Sequence, residues 1–279
     1  CNRKTKDSEF VCVPASVMTT STSIELIKGK AGSVVRLRVR RGTHLDFYDV
    51  TRAKIEIPAV YAGTIDDDTV YVRLSEFSKN TANEVQEAFN VQQSFLPNKK
   101  ARKLVFDLRF NPGGLLNEGV DIVDMFITGG RIVTTIDAKG DVSGASNATP
   151  DQGVPDDVSV AVLINNFSAS ASEIVAGSLQ DYAISRSGKT IIVGEKSYGK
   201  GSVQHMRPLP NGGAFKLTIA RYYTGSGKMI DGVGVIPDVI VSLKEGELIT
   251  AVLDGTITKL DTQLAKAVAV LSEKSATTD

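Results

Sequence analysis

The chain has no tryptophan, two cysteines and two histidines in 279 residues. Two cysteines, Cys1 and Cys12, cannot build a disulfide framework or a metal cluster. An excess of charge is missing too. The 32 basic residues balance 32 acidic ones, so nothing electrostatic favours nucleic acid or an anionic membrane as a partner. No apolar run reaches the roughly 18 residues that a membrane-spanning helix needs. No signal peptide is visible, but the chain does not begin with Met. It therefore reads as a fragment or a mature product, and the compartment stays open. Cys1 fits a lipidated N-terminus, although an arbitrary truncation is the simpler reading. There is no internal repeat of fixed period. What is present, 42% hydrophobic and 23% charged residues, is ordinary globular material, long enough for one large domain or two.

The first fifty residues read as a small β-rich unit. Glu25-Leu26-Ile27 closes a short helical pattern, and the segment from Lys28 to Gly32 is a turn. Val34 to Val39 then alternates apolar and basic residues, as a half-exposed strand does. Arg41-Gly42 predicts a hairpin, with a further strand over Ala53 to Ile57.

Beyond it the pattern changes. Thr69 to Leu74 is a strand, and a helix is predicted from Thr81, where Thr81 and Glu84 have capping-box spacing. The apolar runs Leu104 to Leu108 and Val158 to Ile164 predict strands buried on both faces. Each is followed by a turn and a helical pattern, and this recurrence predicts an α/β core of parallel strands joined by right-handed crossovers. Ala138 to Asp157, rich in Gly, Ser, Asn, Asp and Pro, reads as a loop or flap. Ala214 to Tyr223 carries the longest strand signal. A terminal strand at Val239 to Val241 and an amphipathic helix over Asp261 to Leu271 complete the chain.

The stretch from Asn166 to Gln204 holds the candidate chemistry. Serines alternate with small residues at Ser168, Ser170 and Ser172, where the buried strand gives way to a helix N-terminus. Such a junction offers free backbone N–H groups and the positive end of a helix dipole to an oxyanion. A second apolar run, Ile191 to Val193, leads to Gly199-Lys200-Gly201 and then Gln204. A serine hydroxyl needs a base to take its proton. Lysine serves only when its pKa falls from about 10.4 toward about 7–8. In this reading Ser170 is the nucleophile, Lys200 the base and Gln204 an orienting group. The N–H groups of Ala171 and of the turn Gly113-Gly114 supply the oxyanion hole.

Each part has a plainer alternative. The serine run also fits a small-residue helix start, Lys200 a solvated charge, and Gly113-Gly114 a simple turn. A Ser-His-Asp arrangement would need His44 or His205. His44 lies in the β-rich unit, His205 adjoins Gln204 on the other face of its strand, and a structural role is favoured for both. Glu173 and Asp181 lie on the helix after Ser170, where they shape the site or face solvent.

Taken together and in order, DLRFNPGGLL (107–116), NFSASASEIVAGSLQDY (166–182), VGEKSYGKGSVQ (193–204), LTIARYYTGSGKMIDGVGVIPDV (217–239) and DTQLAKAV (261–268) resemble the C-terminal processing, or tail-specific, serine peptidases. The resemblance implies an endopeptidase working through a Ser170–Lys200 dyad assisted by Gln204. Gly113, with Gly114 in reserve, and Ala171 would be the oxyanion donors, with no metal or cofactor. It implies a ClpP- and crotonase-like core over 43–279, preceded by the last part of a PDZ domain over 1–42. Substrates would be proteins or peptides with exposed apolar C-termini, and a homo-oligomer or a regulatory adaptor would fit the family. The family works in the periplasm or cell envelope. The front half of the PDZ domain is absent, and Ala183 to Lys189 reads as an insertion expected to bulge outward. A non-catalytic peptide-binding relative and a crotonase-like acyl-CoA enzyme are the alternatives.

Overall fold

A computed structural model describes the chain except residues 1, 4–9, 12–14, 55–57, 152, 184–188, 251, 253–256, 258 and 277–279. Cys1, Cys12, the end of the strand expected over 53–57 and most of the expected insertion lie outside the described residues. The chain divides into two compact units, 1–57 and 58–279.

In the first unit, β1 (Asn2–Arg3) pairs with β2 (Phe10–Val11), and α1 spans Thr20–Ile27. The α1 N-terminus is capped by Thr19, whose Oγ1 accepts the Thr22 N–H. The expected hairpin is present as β3 (Val34–Arg41) paired antiparallel with β4 (His44–Thr51). The expected boundary at 42/43 falls at the tip of this hairpin, so the division at 57/58 keeps both strands in one unit.

The second unit runs β5 (Val60–Asp66), β6 (Thr69–Leu74), α2 (Thr81–Phe95), β7 (Lys103–Asp107), α3 (Leu116–Asp124), β8 (Arg131–Asp137), β9 (Val142–Asn147), β10 (Ser159–Ile164), α4 (Ala171–Asp181), β11 (Thr190–Gly194), β12 (Ser202–Pro208), β13 (Ala214–Thr224), β14 (Val239–Ile240) and α5 (Thr262–Ala276). Six strands form one sheet in the order β14–β11–β10–β7–β6–β5, parallel throughout except at the β5 edge. A second, antiparallel sheet has the order β12–β13–β8–β9.

The continuous apolar runs follow from burial on both faces of the large sheet. Val70, Val72, Leu104, Phe106, Val160, Val162 and Ile192 point into one core with residues of α2, α3 and α4. The intervening Tyr71, Val105, Ala161, Leu163, Ile191 and Val193 point into another with Leu264, Ala267 and Leu271 of α5. A period of two thus feeds two cores in the central strands of the sheet.

Two local expectations are corrected. The N-cap of α2 is Asn80, not Thr81, and the Thr81 hydroxyl turns back to donate to the Ser78 carbonyl at 2.7 Å. The helix start is capped from α3 instead, the Glu118 carboxylate accepting the N–H groups of Asn80 (2.9 Å) and Ala82 (3.0 Å). A tertiary carboxylate thereby replaces the local capping box. Within the expected flap, residues 142–147 form a strand despite their small polar side chains, because β8 supplies the ladder.

Candidate active site

β7, β10 and β11 lie side by side and parallel, so the loops leaving their C-terminal ends meet at one edge of the sheet. These loops carry Asn111–Gly114, Ser168–Ser172 and Ser197–Gly201.

Ser170 stands at the sharp turn into α4 with φ 59° and ψ −116°. A non-glycine residue holds such a conformation only where its surroundings impose it. The flanking serines show what does so. Ser168 and Ser172 are fully buried; Ser168 Oγ donates to the Leu108 carbonyl at 2.8 Å and Ser172 Oγ to the Asn111 carbonyl at 2.9 Å. The Ala169 N–H reaches the same Asn111 carbonyl at 3.0 Å. Two hydroxyls are therefore committed to fastening the turn to the β7 loop, while half-buried Ser170 stands between them at the bend.

Glu173, fully buried on the first turn of α4, joins this turn to the loop after β11. Its Oε2 accepts the N–H of Ser170 and that of Lys200, each at 2.8 Å. Its Oε1 accepts the Gly199 N–H and the Ser197 hydroxyl, each at 2.6 Å. One carboxylate oxygen thus bridges the backbones of Ser170 and Lys200. Lys200 itself is half-buried. Among the described residues no hydrogen bond joins its amine to the Ser170 hydroxyl.

Gly113 approaches the turn so closely that a Cβ on it would meet the Ala169 carbonyl at 2.6 Å and Ser170 Cβ at 2.7 Å. Its φ of +96° also suits glycine. Its N–H, however, donates to Asn111 Oδ1 at 2.9 Å in an Asx turn. Among the described residues, the N–H groups of Gly114 and Ala171 carry no such bond.

The remaining candidates fall elsewhere. Gln204 is on β12, exposed and without a side-chain hydrogen bond among the described residues. His205 is likewise exposed on β12. His44 belongs to the first unit, where its Nε2 lies 3.2 Å from Asp46. Asp181 closes α4 at the end opposite Ser170 and pairs with Lys228 at 2.7 Å.

Behind the site, buried Arg109 bonds Asp107 and Asp261, each at 2.7 Å, fixing the end of β7 to the start of α5. Burial opposes ionisation of Asp261, but the hydrogen bonds and charge of Arg109 outweigh it and hold the carboxyl at about 2. Tyr71, buried and donating to Asp107 at 2.7 Å, has its phenol pushed up.

The sequence profile of peptidase family S41 matches residues 68–241, more than half of the chain and all three loops just described. The chain belongs to peptidase family S41. It is 39% identical over 230 residues to a carboxy-terminal-processing protease of Bartonella bacilliformis, covering 81% of this chain and 51% of that protein. It is 35% identical over 221 residues to a carboxyl-terminal-processing protease of a Picosynechococcus species, covering 77% and 50% respectively. Among solved structures, a photosystem II D1 C-terminal processing protease superposes with a TM-score of 0.61 at 30% identity, covering 77% of this chain and 57% of that one. The chain spans about half the length of the curated relatives it matches.

Sequence reasoning missed Asn111 and Asn165 as supports of this S41 site. Asn111 anchors the glycine turn through both its side chain and its carbonyl, as described, and its Nδ2 donates to the Leu74 carbonyl at 3.0 Å. Asn165 receives the N–H groups of Phe110 (2.9 Å) and Phe167 (3.2 Å). The signal for both was an asparagine just past a buried strand, a residue suited to bonding nearby backbone.

Proposed function

We propose that this S41 chain is a serine endopeptidase that cleaves proteins near their C-termini, with Ser170 as nucleophile and Lys200 as general base. The observation that carries the reading is the Glu173 carboxylate, which holds the backbone of Ser170 and that of Lys200 on one oxygen. In this mechanism the Lys200 amine takes the Ser170 proton as Oγ attacks the scissile carbonyl. The proton then passes to the departing amine, and water hydrolyses the acyl-enzyme. The oxyanion is received by Ala171 N–H and, because Gly113 N–H is engaged by Asn111, by Gly114 N–H. Gln204 is assigned to orienting Lys200 from its place on the strand that follows.

The same reading covers the substrates, proteins or peptides with exposed apolar C-termini, and a homo-oligomer or adaptor as regulator. It includes an extracytoplasmic location, a core akin to ClpP and crotonase, and a partial PDZ module in the first unit. The helix-then-hairpin order of α1, β3 and β4 supports that last point.

The test is cleavage of an unstructured protein with an apolar C-terminus by the wild type, Ser170→Ala and Lys200→Ala. Both variants should fold and lose at least about a thousandfold in rate. Cleavage persisting in the folded variants overturns the assignment.

A further inference from the structure

The loops that carry Ser170 also present two phenylalanines that this chemistry leaves unused. Phe110 follows β7 and Phe167 follows β10, neighbouring strands of the sheet. Their rings stack with centroids 5.3 Å apart and planes 19° from parallel. Even so, they remain 43% and 56% exposed.

Two features hold the pair in place. The buried Asn165 side chain accepts both backbone N–H groups on one oxygen. Phe110 also has φ +61°, a left-handed conformation that disfavours a bulky residue and is maintained only by its surroundings. Exposed aromatic surface adds nothing to the hydrophobic stabilisation of the fold. Packing therefore does not explain why this strained position carries a ring.

The place of the pair does explain it. Phe167 precedes Ser170 by three positions, and Phe110 directly precedes Asn111, whose carbonyl fastens the nucleophile turn. We propose that Phe110 and Phe167 form an open specificity platform that receives an apolar, preferably aromatic, side chain of the peptide close to the scissile bond. This rests on the peptidase reading above. An arriving ring extends the stack or meets it edge to face. An arriving carboxylate loses hydration against the ring faces, which carry no hydrogen-bond donor and present the negative side of the π-system. The platform is open on its outer side, so it selects by chemical class more than by size.

The test uses peptides that are identical except for one residue, Phe, Leu, Ala or Asp, moved through each position on both sides of the cleaved bond. The wild type, Phe110→Gly, Phe167→Ala and the double variant are compared, and Phe110→Gly suits the left-handed backbone. In the wild type, one position should favour Phe over Asp by about tenfold or more in kcat/KM. That preference should vanish in the variants, chiefly through KM, while the other positions keep theirs. A small fluorophosphonate with no aromatic or apolar side chain reports Ser170 separately. Labelling that persists while the preference disappears supports the platform. An unchanged preference overturns it, and so does a fall in cleavage that parallels a fall in labelling at every position. A wild type not labelled at Ser170 removes the peptidase reading itself, and the platform with it.

Discussion

Glu173→Gln exchanges one atom at the point where two loops are held together. The carboxylate accepts four hydrogen bonds, from Ser170 N, Lys200 N, Gly199 N and Ser197 Oγ. Bonds to a charged acceptor contribute about 1.5–3 kcal/mol each, so their gross sum is about 6–12 kcal/mol. Burial of the charge takes back several of these. Glutamine keeps one oxygen and turns an amino group toward N–H donors, leaving two of the four without an acceptor. At about 1–3 kcal/mol for each buried donor left unmatched, and with easier desolvation of the neutral amide, the net loss is about 2–4 kcal/mol. The urea midpoint should fall by about 1 M. Under conditions where the variant is still folded, amide hydrogen exchange should accelerate at residues 197–201 and cleavage should fall at least about a hundredfold. A folded variant with wild-type exchange in that loop and cleavage within about twofold would refute the clamp.

Two further outcomes follow from the surrounding frame. Gly113→Ala places a methyl group against the Ala169 carbonyl and Ser170 Cβ at a backbone of φ +96°. It should lower kcat/KM by about a hundredfold or more through displacement of the turn, and a variant of wild-type activity would contradict the close approach. Asp261 is held at about 2, below an unfolded value of about 3.9. Its contribution is therefore complete above about pH 4 and is lost as pH falls through about 2, stability rising with pH in between. With allowance for screening it amounts to about 1–2 kcal/mol. Asp261→Asn should flatten the urea midpoint across that window, and an unchanged slope would exclude the linkage.

The parts of this fold that the sequence announces are those whose chemistry is uniform. Leu104 to Leu108 and Val158 to Ile164 read as buried strands because both faces of the sheet are covered. Residues 142–147 do not, because serine, glycine and asparagine are in a strand there only through pairing with β8. The Thr81–Glu84 spacing misled for a related reason. Local signals say that a helix end needs an acceptor, but not that Glu118 on another helix supplies it. The site divides the same way. Ser170 and Lys200 stand out by type and setting. Glu173 was legible only as an acid on a first helical turn, where many acids simply face solvent, because its function depends on a loop 24 to 27 positions further on folding back to it. Gly113 showed its turn, but the bond from its N–H to Asn111 needed the geometry.

The shared carboxylate also imposes an order on biosynthesis. A chain made from its N-terminus presents Ser170 before residues 197–200 exist, and Glu173 then has the Ser170 amide alone to hold. The strained turn gains the rest of its support only when the later loop has emerged and docked. The backbones of Ser170 and Lys200 therefore cannot share one Glu173 oxygen until the loop at 197–200 has been made and has docked against α4.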